Sequence, residues 1–525
     1  MHKLLIAFAI LTAAAQAQKP EACTNLLHLT IPNTRILTAE PIDPAQALPG
    51  DIPAAAKVVP PFCRVTAQLT PSADSDIRME IWLPLTWNGL FRGQGNGGFA
   101  GAIDRNGLAR AANQGYATAA TDTGHTGSAT DATWALHHPE KVIDFGYRAI
   151  HEMTVTSQAI LQSFYGTPAK HTFFAACSDG GREALMEAQR FPADYDGIIA
   201  GAPAYNWTAL LTNSLASAKA FTLTPASYIP AEKLPAISAA VLNACDANDG
   251  LKDGILNDPR TCHFDPNKLL CKKANGNACL TRPQIKTLQA LYAGAHAADG
   301  SPIEPGYLPG AETGPGGWTD WITGKALGQA GIFSYGQGFF ANMVYSDPAW
   351  DFKAVTVDAA YQKAQQLGAP AINATDPNLT PFFTRGGKLI LYHGWNDPAI
   401  PATGTIDYVT QMTAATPEAN ASTRLYMVPG MQHCAGGPGA TSFGQFGWFP
   451  SATPDDPQHD ISLALEQWVQ TSTPPETLIA THYEAAPGTS PPTLTRPLCA
   501  YPQSAKYNGT GDPNTAASFT CSQAK

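Results

Sequence analysis

FAACSDGG, residues 174–181, lies where an apolar run gives way to a helical pattern. HTFFAA, at 171–176, has the aromatic and apolar content of a buried strand. GREALMEAQRFP, at 181–192, has helical period and meets its stop at Pro192. Between them, Ala176-Cys177-Ser178-Asp179-Gly180 has the form of the G-x-S-x-G turn, with Ala in place of the first Gly. Such a turn lifts a serine hydroxyl above the edge of a sheet. It needs small neighbours because its backbone is strained and the helix passes close to the strand. Read this way, Ser178 is a nucleophile, and the Asp179 N–H at the helix N-terminus is a donor to an oxyanion. The competing reading is a plain helix cap, because serine is a good N-cap residue.

A nucleophilic serine needs a base and an acid to orient it. Of thirteen histidines, His433 follows an apolar strand pattern and sits in the Gly-rich loop GMQHCAGG, 430–437. Loops at the C-terminal ends of strands are where α/β enzymes place their chemistry. Asp397, in LYHGWNDPAIP (391–401), falls between serine and histidine, which is the expected chain order. His393 is the rival base, at a strand end that favours a structural role. Cys177 precedes Ser178 and Cys434 follows His433. A disulfide between them would hold the two backbones roughly 4.4 to 6.8 Å apart, with serine and histidine as neighbours. A second oxyanion donor belongs on an earlier loop. GQGNGGFAG, 93–101, supplies Gly97 or Gly98, since glycine lets backbone approach a ligand.

Outward from this turn, strand patterns at 77–85, 90–101 (strand-like, then Gly-rich), 116–124 and 196–203 alternate with helical patterns such as 146–164. That alternation predicts a mostly parallel sheet, hence an α/β class. The Pro- and Ala-rich stretch 18–70 reads as a surface wrapping. The sheet pattern breaks at about 205 and returns at 388–401 and 423–437. The economical division is a first core segment, 18–204, an insertion, 205–385, and a second core segment, 386–525.

The chain has 525 residues, 44% of them hydrophobic, and a net charge of -10 without a basic cluster. These values exclude disorder as the main state and argue against nucleic acid or an anionic membrane as partner. Oligomeric state has no signature either way. Residues 1–17 have the positive start, the short apolar run and the Ala15-Gln16-Ala17 end of a cleaved signal peptide. No later stretch is long and apolar enough for a membrane anchor. An exported chain, secreted or periplasmic, with ten cysteines is expected to hold five disulfides. CDANDGLKDGILNDP, 245–259, can turn Asp246, Asp249 and Asp253 inward with the backbone carbonyls of Leu251 and Ile255. Oxygen ligands of this kind suit a structural Ca²⁺, and Cys245 and Cys262 bracket the loop. Its spacing is not that of an EF-hand.

Taken together, Cys177-Ser178, Asp397 and His433-Cys434 resemble the Cys-Ser, Asp, His-Cys arrangement of the tannase and feruloyl esterase family. CSDGGREALMEAQRFPADYDGIIAGAPAYNW, GQGNGGFAG, DANDGLKDG and GMQHCAGG carry the likeness, which runs through nearly the whole mature chain. The resemblance implies an α/β-hydrolase core with a large inserted lid domain over the active site. It implies Ca²⁺ on Asp246, Asp249, Leu251, Asp253 and Ile255. It implies the pairs Cys177–Cys434, Cys245–Cys262, Cys271–Cys279 and Cys499–Cys521, with Cys23–Cys63 remaining. It also implies a serine esterase acting on small esters of aromatic acids, hydroxycinnamic or gallic. One branch of the family cleaves mono(2-hydroxyethyl) terephthalate and uses a lid arginine for the free carboxylate. Here residues 205–384 offer only Arg260 and Arg282. Lid aromatics available to stack on an acyl ring are Trp318, Trp321, Phe333, Tyr335, Phe339, Phe340 and Tyr345. Two other classes fit the residues: a calcium-dependent binding protein on a hydrolase scaffold, and a metal-dependent hydrolase using the Asp246 loop.

Overall fold

The computed structural model describes residues 20–272, 276–310, 312–445, 456–484 and 490–523. The proposed signal peptide, 1–17, lies outside the described residues. Nine strands form the central sheet: β1 (Thr34–Ile42), β2 (Phe62–Leu69), β3 (Ile77–Pro84), β4 (Leu90–Gln94), β5 (Ala117–Thr121), β6 (His171–Cys177), β7 (Gly197–Gly201), β8 (Lys388–Gly394) and β9 (Thr423–Val428). Their order is β1-β2-β3-β5-β4-β6-β7-β8-β9. From β5 to β9 every neighbouring pair is parallel. β1, β2 and β3 run antiparallel to their neighbours at one edge.

That edge corrects the reading of 18–70 as a surface wrapping. β2 is buried along most of its length, with Cys63, Val65, Ala67 and Leu69 in the main core. Cys63 is bonded to Cys23, which ties the N-terminal segment to the sheet. Pro41 in β1 and the flanking prolines hid the pattern, and an edge strand is where a sheet tolerates proline.

β6 is covered on both faces. Phe174 and Ala176 join one apolar cluster, while Phe173, Ala175 and Cys177 join another on the opposite side. Two-sided burial is why this strand reads as a continuous apolar run. The helix Asp179–Arg190 packs back on β6 and β7.

β7 and β8 pair directly, Gly197 opposite Lys388 through Gly201 opposite Tyr392, although the chain between them runs from 202 to 387. The insertion therefore leaves and rejoins the sheet at adjacent strands. It has its own apolar cluster, built around Phe221, Ile237, Leu288 and Trp318. Its first helix, Trp207–Thr222, lies against the core through Trp207, Leu210 and Leu211, which pack with Phe99 and Phe145.

Candidate active site

Ser178 occupies the one-residue turn between β6 and its helix, with φ 69° and ψ -123°. A non-glycine residue there costs about 1 to 3 kcal/mol and persists only where its surroundings hold it. They do so on both sides. The Ser178 N–H donates to the Gly201 carbonyl at 3.0 Å, and the Ser178 carbonyl accepts from Ala204 at 3.1 Å and Arg182 at 3.2 Å. A Cβ on Gly180 would sit 2.5 Å from the Ala176 Cβ and 2.7 Å from the Asn96 carbonyl oxygen. On Gly181 it would sit 2.4 Å from the Gly201 oxygen. The small residues of FAACSDGG are thus required by close packing at a strained turn.

The hydroxyl settles the choice between cap and site geometry. Ser178 makes no side-chain cap bond. Its Oγ lies 2.9 Å from His433 Nε2, and His433 Nδ1 lies 2.8 Å from Asp397 Oδ2. Residues 255 positions apart meet because Cys177 and Cys434 are bonded, with Cα atoms 6.0 Å apart. The other four disulfides are Cys23–Cys63, Cys245–Cys262, Cys271–Cys279 and Cys499–Cys521, so all five expected pairs are present.

Asp397 is buried, and its Oδ1 accepts the N–H groups of Ala399 and Ile400 at 2.8 and 2.9 Å. Burial alone would raise its pKa. The charges and hydrogen bonds of His433 and His393 outweigh burial and hold the carboxyl well below the usual carboxylate range. His393, the rival base, does not face the serine. It is fully buried, bonded to Thr405 Oγ1 at 2.8 Å and the Ile400 carbonyl at 3.1 Å, with Nε2 3.2 Å from Asp397 Oδ2. It fixes the carboxylate from behind.

The two glycines expected as a second oxyanion donor, Gly97 and Gly98, differ in their surroundings. Gly98 lines the same cavity as Ser178 and has φ +59°. A Cβ there would lie 2.2 Å from the Ala129 carbonyl oxygen, whereas a Cβ on Gly97 meets nothing within 4 Å. The loop is anchored to the nucleophile helix. Glu183 Oε2 accepts the Asn96 N–H at 2.8 Å, and the Gly180 N–H donates to the Asn96 carbonyl at 2.9 Å. Burial and the Asp179 carboxylate push the Glu183 pKa up to about 8. This anchor was not readable beforehand, because it joins positions 87 apart with no local signature. Gly98→Ala is expected to lower kcat roughly 10² to 10³-fold, the size of one lost oxyanion donor, while Gly97→Ala stays near wild type. Rates of both variants on one simple ester check this; equal losses would remove the distinction.

The cavity above Ser178 is walled by Trp207, Leu210, Leu211 and Ser214 of one helix and by Trp321, Ile332 and Tyr335. Of the seven aromatics noted in the insertion, Trp321 and Tyr335 line it, stacked on each other at 5.9 Å. Trp321 also presents to the His433 ring edge-on, at 4.9 Å and 70°. Trp318, Phe339 and Phe340 are buried core residues, with Phe333 and Tyr345 packed beside them. Neither Arg260 nor Arg282 lines the cavity, and Arg260 is paired with Asp258 at 2.6 Å.

The acidic loop lies elsewhere, closed by Cys245–Cys262. One oxygen of each carboxylate is taken by the loop itself: Asp246 accepts from Gly254, Asp249 from Leu251 and Asp253 from Ile255. Asp249, Leu251, Asp253 and Ile255 line one cavity. Burial, with the Asp253 and Asp246 charges, raises the Asp249 pKa, and Asp253 Oδ2 meets Arg496 at 2.9 Å. Carboxylates with backbone carbonyls beside them are the oxygen-only donor type that a hard divalent cation takes.

A mostly parallel sheet, a strained serine at the end of a central strand and a histidine–aspartate pair on the following loops define an α/β-hydrolase. Residues 63–522 match the family described as "Tannase and feruloyl esterase". An uncharacterised esterase of Xanthomonas campestris pv. campestris is 40% identical over 538 residues, covering 98% of this chain and 92% of that protein. A "Probable feruloyl esterase B-2" of Aspergillus flavus is 35% identical, covering 80% of each. The crystal structure of feruloyl esterase B from Aspergillus oryzae superposes with a TM-score of 0.85 at 27% identity, over 96% of this chain and 100% of that one. The chain belongs to the tannase and feruloyl esterase family and is a carboxylic-ester hydrolase.

Proposed function

We propose that the protein is an exported serine esterase that cleaves small esters of aromatic acids, hydroxycinnamoyl esters ahead of galloyl ones. The observation that carries this is the hydrogen-bonded series Ser178–His433–Asp397 beneath an aromatic-walled cavity. His433 takes the Ser178 proton as the oxygen attacks the ester carbonyl. Asp397 keeps the imidazole oriented and stabilises the imidazolium. The amides of Asp179 and of Gly98, in the Gly97-Gly98 loop, receive the tetrahedral oxyanion; such a donor is worth roughly 2.7 to 4 kcal/mol of barrier. His433 returns the proton to the leaving alcohol, and water then releases the aromatic acid from Ser178.

The residues 205–385 act as the lid, since they supply most of the cavity wall. Apart from Ser178, the lining side chains bring only the Ser214 and Tyr335 hydroxyls and the Trp207 and Trp321 indole N–H groups. A galloyl ring must desolvate three hydroxyls there, a feruloyl ring one. Initial rates on methyl ferulate and methyl gallate are expected to favour ferulate; a preference for gallate would reverse the assignment. The absence of an arginine from the cavity lining argues against mono(2-hydroxyethyl) terephthalate as the preferred ester. Export is supported by five disulfides, which persist in oxidising compartments. Among the described residues no helix is long and apolar enough to cross a membrane.

Asp246, Asp249 and Asp253, with the carbonyls of Leu251 and Ile255, hold a structural Ca²⁺ in this reading. Chelation is expected to lower the thermal unfolding temperature by several degrees, reversed by added Ca²⁺, while the initial rate measured at once is unchanged. Immediate loss of rate with the fold intact would favour a metal-dependent hydrolase instead.

A further inference from the structure

A second cluster of metal-ligating groups lies away from the esterase site and is used by none of its chemistry. His151, Glu187 and Asp194 each place one ligand atom within 4.8 Å of the others. They come from three segments: the helix Ala149–Tyr165, the helix Asp179–Arg190 and the loop that follows it. Glu187 is nine residues beyond Ser178 on the same chain segment, roughly 13 Å at helical rise. The His151 ring is fixed by stacking on Phe191 at 3.8 Å and 8°, and its Nδ1 lies 2.7 Å from Asp194 Oδ2.

Glu187 is the second, independent observation. It is 1% exposed, and neither carboxylate oxygen has a hydrogen-bond donor among the described residues. Its neighbour is another carboxyl, that of Asp194. A buried carboxyl without a donor, facing a second carboxylate and an imidazole, is a poor arrangement unless something positive lies between them. The His151 and Asp194 side chains are 28% and 13% exposed, so the cluster opens to solvent on one side.

We infer that His151, Glu187 and Asp194 bind a divalent transition-metal ion, with Zn²⁺ the best match. One imidazole nitrogen and two carboxylate oxygens form a borderline donor set, better suited to zinc than to calcium, and the two carboxylates balance the charge of the ion. Zn²⁺ takes the place of the proton between His151 Nδ1 and Asp194 and of the proton held on the Glu187 carboxyl, and both protons leave to solvent. The open side admits a water as fourth ligand. The ion ties two helices and the loop leading into β7, which makes it a brace and not part of the esterase chemistry.

The test is calorimetric titration of Zn²⁺ into the full-length protein, stripped of metal and held in excess Ca²⁺ to keep the Asp246 loop filled. One Zn²⁺ per chain is expected, with the unfolding temperature raised. Glu187→Gln and His151→Ala should each weaken binding by roughly 100-fold or more, the scale set by losses around metal sites. Asp249→Asn should leave Zn²⁺ binding intact. Co²⁺ in place of Zn²⁺ should give visible absorption bands in wild type that both variants lack. Glu187→Gln keeps the side-chain shape, and circular dichroism establishes that each variant is folded. Zn²⁺ binding equal in wild type and both variants would overturn the proposal, as would no binding at all, in which case Glu187 and Asp194 simply share a proton.

Discussion

Ser178→Ala is expected to lower kcat/KM by about 10⁴ to 10⁶-fold, the range seen when a nucleophile that acts as a unit with its base is removed. Stability should hardly change. The Ser178 hydroxyl makes no capping bond, and the backbone contacts to Gly201, Arg182 and Ala204 survive the substitution. Alanine also carries the same Cβ into the φ 69° turn, so the strain is no larger. The residual rate reports what the oxyanion loop and cavity provide alone. The check is a kinetic comparison on methyl ferulate beside a fluorophosphonate labelling assay. Wild type should label at Ser178 and the variant should not. Retained turnover in the variant would sink the triad, and an unlabelled wild type would favour a binding protein.

The second large effect follows from the Cys177–Cys434 bond. Replacing both cysteines by serine opens a closure spanning 257 residues. On the chain-entropy account the loss is about 5 kcal/mol, less wherever other crosslinks already restrain the unfolded chain. Activity should fall for a separate reason. Cys434 sits at φ 62°, so the bond helps hold a strained loop in which His433 faces Ser178. The non-covalent restraints that remain include the Gln432 side chain bonded to the Thr313 carbonyl at 2.9 Å, the Gln432–Gly436 turn and the His433–Asp397 bond. A misplacement of 1 Å costs about 10²-fold in rate, so kcat should drop by that order while KM moves little, because the cavity walls come from other segments. Steady-state kinetics and thermal unfolding of the double variant check both halves. Wild-type kcat in a folded variant would show that the histidine loop needs no tether.

The esterase site was legible in the sequence to an unusual degree, and for physical reasons. A strained turn imposes small residues at 176, 180 and 181, and these stand next to one another in the chain. The serine–aspartate–histidine order follows from strand order. The flanking cysteines report a contact across 255 positions that no periodicity could show. What escaped were features with no local mark. β1 is an edge strand that contains Pro41, β2 is flanked by prolines, and it is pairing in the order β1-β2-β3 that makes them strands. The Asn96–Glu183 anchor and the Trp321 edge on His433 join distant segments through single contacts. Nor did composition separate Trp321 and Tyr335, which line the cavity, from Trp318 and Phe340, which are core.

The direct pairing of β7 with β8 has a consequence for how such a protein diversifies. Because the sheet closes without the intervening 186 positions, from 202 to 387, that stretch is not needed to complete the sheet; it packs on the core through one helix face, through Ala374, Phe382 and Phe383, and through contacts such as Gln432 with Thr313. On the proposed mechanism the bond-breaking groups, Ser178, Asp397 and His433, come from one side of this division, and most of the cavity wall comes from the other, through Trp207, Leu210, Trp321 and Tyr335. Selection can therefore rewrite substrate choice by altering one cassette of chain, while the reacting atoms keep their places to within a hydrogen bond.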